Sequence, residues 1–175
     1  MLKNKSLILI TLLISLPLSC FALSEDRNKP IKIKADSVSI NEKTGISTYI
    51  GNVSFVQGSL ILNGNKIVIY QSEGEVVKIL INGKPATFQQ RQDETNELIR
   101  AKAGKMKYVM KDERVYLSQN ASVTQGDNLL KGNEIEYNTR NSTVTAQKSK
   151  QNTNRVHVVI EPKNEKSQPN LKNNK

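Results

Sequence analysis

Residues 51–58 read Gly51-Asn52-Val53-Ser54-Phe55-Val56-Gln57-Gly58, and residues 119–126 read Gln119-Asn120-Ala121-Ser122-Val123-Thr124-Gln125-Gly126. The two stretches lie 68 positions apart and say nearly the same thing. Neither holds an acid–base or nucleophilic pair, so duplicated active sites do not explain the echo. Each alternates apolar and polar residues between Gly, Asn and Gln. Alternation marks a half-buried strand, and the flanking residues are those that turns select. Each stretch therefore reads as turn, strand, turn.

The echo extends outward. Lys34–Val77 lies over Lys102–Thr145 without a gap, and 12 of 44 positions are identical. The retained residues are Asn, Gln and Gly of the turns and Leu and Ile of one strand face. Apolar character persists at Val38 with Met106, Phe55 with Val123, and Ile69 with Tyr137. Similarity at a fixed offset indicates one structural unit stacked on a related one.

The same alternation runs through most of the chain: Ile31/Ile33, Val38/Ile40, Leu60–Leu62, Ile67–Tyr70, Val76–Ile81, Ala86–Phe88, Leu98/Ile99, Met106–Tyr108, Val115–Leu117, Ile135–Tyr137, Val144 and Val156–Ile160. Asn63-Gly64 and Asn82-Gly83 are the sharpest hairpin signals, since both residue types tolerate the positive φ of a two-residue turn. Asp93–Met106 mixes helix formers, but its apolar positions form no stripe and Gly104 interrupts it, so it reads as a loop followed by a strand. Strands recurring every 8–12 residues indicate an all-β sandwich, roll or solenoid. Mostly aliphatic inner faces suit a closed, dry core, which the pattern favours. The alternative is a slot left open for acyl chains.

The ends read differently. Residues 1–22 combine Lys3 and Lys5, an apolar run from Leu7 to Leu18, and small residues before a cleavage point after Ala22; this is a secretory signal peptide. Cleavage removes the lone Cys20 and two lysines, taking the formal charge from +10 to +8. The mature chain then lacks disulfides and thiol chemistry. Residues 23–29 are polar and expected to be flexible, residues 30–162 form the β domain, and residues 163–175 are a polar, basic tail expected to be disordered. The charge admits acidic partners, among them anionic lipid, phosphorylated glycan and nucleic acid. Basic residues are spread rather than interleaved with aromatics, which argues against a nucleic-acid groove.

Catalytic signatures do not emerge. The lone His157 sits on an alternating segment, with no metal-ligand spacing around it. Nucleophile elbows and phosphate loops are missing from the sequence. The adjacent acids Asp93-Glu94 and Asp112-Glu113 fall in predicted turns. The residues point to no enzyme, no metal and no cofactor.

Several blocks together resemble the OstA-like family of periplasmic lipopolysaccharide-transport proteins. They are Pro30-Ile31-Lys32-Ile33-Lys34-Ala35-Asp36, Gly51-Asn52-Val53 with Val56-Gln57-Gly58, Asn65-Lys66-Ile67-Val68, Asn82-Gly83-Lys84-Pro85-Ala86-Thr87-Phe88-Gln89-Gln90, and Gly132-Asn133-Glu134-Ile135-Glu136-Tyr137. The resemblance implies an open, V-shaped, twisted β-jellyroll of antiparallel strands that binds lipid A acyl chains inside. It implies copies joined head to tail, capped by related LptC-like domains at the inner membrane and LptD-like domains at the outer membrane. It reverses the preference for a closed core. By alternation the slot lining is Ile31, Ile33, Val38, Ile40, Phe55, Leu62, Ile67, Ile69, Phe88, Tyr108, Met110, Val123, Leu130, Ile135 and Tyr137. Lys32, Lys34, Lys102 and Lys105 are candidates for lipid phosphates. Assembly edges are expected at Ile31 and Ile33 and at Val156, Val158 and Ile160. Three alternatives stay open: a membrane-tethered partner in the same system, a polyanion binder, and a self-assembling protein with a closed core.

Overall fold

The computed structural model describes residues 25–92, 95–147 and 155–160; the signal peptide and the basic tail lie outside them. Ten strands form one antiparallel sheet: β1 (Ile31–Lys34), β2 (Ser37–Asn41), β3 (Ile46–Gln57), β4 (Leu60–Ser72), β5 (Glu75–Arg91), β6 (Leu98–Val109), β7 (Arg114–Gln125), β8 (Asn128–Asn138), β9 (Thr143–Gln147) and β10 (His157–Val159). The hydrogen-bonded path runs β1-β3-β4-β5-β6-β7-β8-β10, while β2 also pairs with β3 and β9 with β8.

The short alternating runs of the sequence merge in pairs into long strands. Val76–Ile81 and Ala86–Phe88 belong to the 17-residue β5, and Val115–Leu117 and Ala121–Val123 to the 12-residue β7. What separates the runs is a row of bulges. The register slips at Ile50/Val53 between β3 and β4 and at Asn63/Lys66 between β4 and β5. It slips again at Asn82/Ala86, Lys102/Lys105 and Ser118/Ala121 across the next three pairs. Bulges bend strands, and aligned bulges make a crease. The crease divides the sheet into two arms. One arm holds β1, β10 and the halves of β3–β8 that pair with them. The other holds β2, β9 and the remaining halves.

This geometry corrects three turn assignments. Asn63-Gly64 and Asn82-Gly83 are not hairpin turns; they lie within β4 and β5 at the crease. Gly64 is required there because a Cβ would stand 2.6 Å from the Asn82 carbonyl oxygen. Gly51-Asn52, read as a turn, is likewise the bulge of β3, with both residues at positive φ. The true two-residue reversal with paired positive φ is Glu73-Gly74, between β4 and β5.

Backbone features recur at the 68-residue offset. β3 and β7 are both 12 residues long, at Ile46–Gln57 and Arg114–Gln125. Positive φ at Gly45, Gly51, Asn52, Gly58 and Gly74 is matched at Glu113, Gln119, Asn120, Gly126 and Ser142.

The two arms face each other across one core. Phe88 of the first arm sits edge-on to Tyr108 and Tyr137 of the second, with ring centroids 6.2 Å apart in each pair. Around them pack Phe55, Leu62, Ile67, Ile79, Ile81, Ile99, Leu117 and Ile135, all buried.

Candidate functional site

Directly paired residues of neighbouring strands share a face, so the register lays inner residues in continuous rows. In the first arm one row runs Ile33, Phe55, Leu62, Phe88, Ala101, Val123, Leu130, Val158. In the second another runs Val38, Tyr49, Ile67, Ile81, Met106, Leu117, Ile135, Ala146. A third carries Ile40, Ser47, Ile69, Ile79, Tyr108, Val115, Tyr137 and Val144. The rows cross the whole sheet and end at its two edges.

All fifteen expected lining residues are on these rows or beside them, in three settings. Phe55, Leu62, Ile67, Ile69, Phe88, Tyr108, Val123, Ile135 and Tyr137 are buried and touch one another in the core. Ile33, Met110 and Leu130 are partly buried against that core. Ile31, Val38 and Ile40 are exposed at the first edge, the last two to 57% and 60%. At the opposite edge Val158 is 59% exposed and Ile160, two residues on, 74%. Val156, at the same edge, is partly buried. Each row is thus filled at its middle and bare at one end, at Val158 in the first row and at Val38 and Ile40 in the other two, while Ile33, Ala146 and Val144 at the opposite ends are partly buried.

The edges are wider than the sequence indicates. β2 and β9 terminate the second arm just as β1 and β10 terminate the first. Lys32, Lys34, Lys102 and Lys105 are on the outer faces, paired with Val56, Ser54, Thr87 and Asn82, and so point away from the seam. His157 is an exposed outer residue of β10.

Burial raises the Tyr108 hydroxyl above its usual pKa of 10.0, against the pull of Thr139 and the Arg27 charge. Tyr137 is raised for the same reason, against hydrogen bonds to Gln92 and Ser142. Both therefore stay neutral at physiological pH.

Polar residues that periodicity does not reveal span the arms. The segment expected to be flexible contains a 3-10 turn, Glu25–Asn28. The Asp26 carboxylate accepts from the Ser59 backbone N–H at 2.6 Å and its hydroxyl at 2.5 Å, on the β3–β4 turn of the first arm. The Gln57 amide donates to the carbonyls of Arg27 and Lys29 at 3.0 and 3.2 Å. The Arg27 guanidinium crosses to the second arm, donating to the Met110 carbonyl at 2.8 Å and pairing with Glu113 at 2.7 Å. Further along, Gln92 Nε2 meets the Tyr137 hydroxyl at 3.4 Å. The retained Gln-Gly pairs gain a reason from this. Gly58 leaves room for Asp26, and Gly126 for Glu97, which accepts from Gln125 Nε2 at 2.8 Å. Gln-Gly is where a preceding carboxylate docks on a turn.

Comparison with known proteins accords with this geometry. The chain is 34% identical over 172 residues to the lipopolysaccharide export system protein LptA of Escherichia coli K12, covering 97% of this chain and 89% of that one. It is 33% identical over 148 residues to LptH of Pseudomonas aeruginosa, covering 81% and 85%, and 31% identical over 163 residues to LptA of Haemophilus influenzae, covering 91% and 92%. The crystal structure of LptH, described as the LptA-homologous periplasmic component of a conserved lipopolysaccharide transport device, superposes with a TM-score of 0.72 at 32% identity, covering 78% of this chain and 99% of that one. Residues 32–143 match the family described as LptA/(LptD N-terminal domain) LPS transport protein; with its creased antiparallel sheet and apolar seam, the chain belongs to that family.

Proposed function

We propose that this chain is a periplasmic carrier that shields the acyl chains of lipopolysaccharide along the inner face and continues that face into further copies, end to end, between the inner and outer membranes. The observation that carries this reading is the set of apolar rows that run off both edges of the sheet. A protein meant to close on itself would cover its terminal rows. Here Ile31, Val38 and Ile40 at one edge and Val158 and Ile160 at the other stay in water.

The physical argument has three parts. Acyl chains are costly to hold in water, at about 0.8 kcal/mol per CH₂. An apolar seam removes that cost at every point along its length, so movement along it meets no large barrier and needs no catalysis. Edge strands β1, β2, β9 and β10 offer unpaired backbone groups, which are templates for another chain. Pairing the β1–β2 edge of one copy with the β9–β10 edge of the next extends one sheet and one seam. Strands spaced at about 4.8 Å give an eight-layer copy a span of roughly 40 Å, so copies in line cover distances that one cannot. The LptC-like and LptD-like domains expected at the two membranes would take the ends of such a line. The matching strand lengths and φ pattern at 68 residues support a repeat of the same unit within the chain.

Middle and ends play different parts in this scheme. The ends are open before cargo arrives, whereas Phe88, Tyr108 and Tyr137 fill the middle. Acyl chains must therefore displace aromatic contacts worth about 0.5–1.5 kcal/mol per pair beyond area burial, a modest obstacle.

Retention of purified lipopolysaccharide on the immobilised chain tests the reading. Aspartate at Val38, Ile40 or Val158 should lower retention strongly, while aspartate at the outward Ser39 or Val159 should not. Retention that ignores the inner face and falls with salt would instead support a polyanion-binding surface.

A further inference from the structure

We infer that the N-terminal turn is a strap that holds the two arms together on the side opposite the crease, and that Arg27 is the residue whose release opens the seam laterally. The inference rests on the lipid-carrier reading for its purpose, though not for its geometry.

Opposite the crease, each arm ends in hairpin turns. The Gly58-Ser59 turn belongs to the first arm and the turn between β6 and β7 to the second. Among the described residues, backbone pairing between arms is confined to the strands that run through the crease, and the far sides are joined by side chains. The 3-10 turn supplies such a join. Its first-arm anchor has two carboxylate bonds from Asp26 to Ser59, and Gln57 holds the backbone at Arg27 and Lys29. Its second-arm anchor is one side chain, Arg27, on Met110 and Glu113. The two anchors are unequal. The first uses several short, local bonds, and the second depends on one long side chain that is itself about one-third exposed, at 31%. When the arms part, the second anchor is the one to yield.

Two further observations fit a strap that lets go. Glu113 also pairs with Arg140 at 2.6 Å, within the second arm. Losing Arg27 therefore leaves Glu113 with a counter-charge, which avoids the penalty of a stranded, largely buried carboxylate. The first-arm anchor is reinforced as well, because Gln90 Nε2 donates to the Asp26 carboxylate at 3.3 Å, so the strap stays on that arm when Arg27 lets go. The strap also covers the cargo path, because Arg27 holds the carbonyl of Met110, and Met110 packs against the core that contains the Phe88–Tyr108 pair. Gln92 on Tyr137 makes the neighbouring crossing.

The test uses the full chain with Cys20→Ser and spin labels at Asp127→Cys, on a first-arm turn, and Lys111→Cys, on a second-arm turn. Pulsed electron–electron distance measurements report arm separation, and the rate of fluorescent lipopolysaccharide uptake reports loading. Arg27→Ala should raise the population of long distances several-fold and speed uptake several-fold, with a larger change when combined with Gln92→Ala. Arg140→Ala, which breaks the other Glu113 pair within one arm, should leave both readouts as in the parent. The inference is overturned if Arg27→Ala matches the parent in distance, or if Arg140→Ala opens the arms equally. If Arg27→Ala opens the arms and no variant takes up lipopolysaccharide, the strap stands and the carrier reading falls. Circular dichroism on each variant separates opening of the arms from loss of the fold; an unfolded Arg27→Ala would be replaced by Arg27→Lys, which keeps the charge without the two-pronged grip and should open the arms to a lesser degree.

Discussion

The middle of the seam and its two ends are made of the same material and behave in opposite ways. Phe88 is 1% exposed and Ile40 is 60% exposed, yet both are apolar residues on inner faces. Phe88 has paired strands on both sides, whereas Ile40 is on a terminal strand with a partner on one side only. Burial here depends on whether a next layer exists. A closed β protein supplies that layer itself; among the described residues this sheet has exposed apolar residues at both edges, the feature on which the proposed end-to-end assembly rests.

The contrast can be tested most severely at the centre. Phe88→Ala removes the ring that both Tyr108 and Tyr137 contact, and the folded chain should lose about 3–5 kcal/mol, read as a lower midpoint in chemical denaturation. A loss under about 1 kcal/mol would mean that the middle is loosely packed and no different from the ends. The crease comes next. Gly64→Ala forces a methyl against the Asn82 carbonyl and the Ile81 side chain, and should cost about 1–3 kcal/mol by the same measurement.

A smaller effect follows from the tyrosines. Tyr108 and Tyr137 have pKa values raised by burial above 10.0. Below that value both folded and unfolded chains keep the protons, and the stabilisation is fully present. As pH rises through the raised values, the unfolded chain has already lost protons that the folded chain still holds, so stability falls. The denaturation midpoint should drop as pH rises above about 10, and Tyr137→Phe should reduce the drop. β1, β2, β9 and β10 contain no tyrosine and contribute nothing to it. Smallest of all, Ile40→Ala or Val158→Ala should change the stability of a single copy by less than about 0.5 kcal/mol. The same substitutions should weaken association between copies in sedimentation velocity. An equal effect on stability at edge and centre would erase the distinction between them.

The inward or outward direction of side chains was legible from alternation alone, because the side-chain period of a strand is two residues and the inner rows follow it. Family resemblance added the openness that composition argued against. The crease was misread at Asn63-Gly64 and Asn82-Gly83 for a physical reason: hairpins and bulges both select Asn and Gly, and only the partner strand decides which one forms. Exposure at Val38, Ile40 and Val158 could not be read locally, since it depends on a missing neighbour. The strap was hidden for a third reason. Asp26 and Arg27 follow no period, and the Arg27 contact with Met110 joins residues 83 positions apart. The acidic pair Asp112-Glu113 looked like a solvated turn, and its second member proved to be the strap's second-arm anchor.

One measurement bears most directly on the seam as the path of the cargo. A photo-crosslinking side chain is placed in turn at Phe88 and Tyr108, which face inward, and at Ser39 and Lys107, which face outward, and each chain is irradiated with lipopolysaccharide. A seam that opens to carry acyl chains gives lipopolysaccharide adducts at Phe88 and Tyr108 and not at Ser39 or Lys107. Adducts confined to Ser39 and Lys107 would contradict it and leave the middle of this sheet as an ordinary closed core.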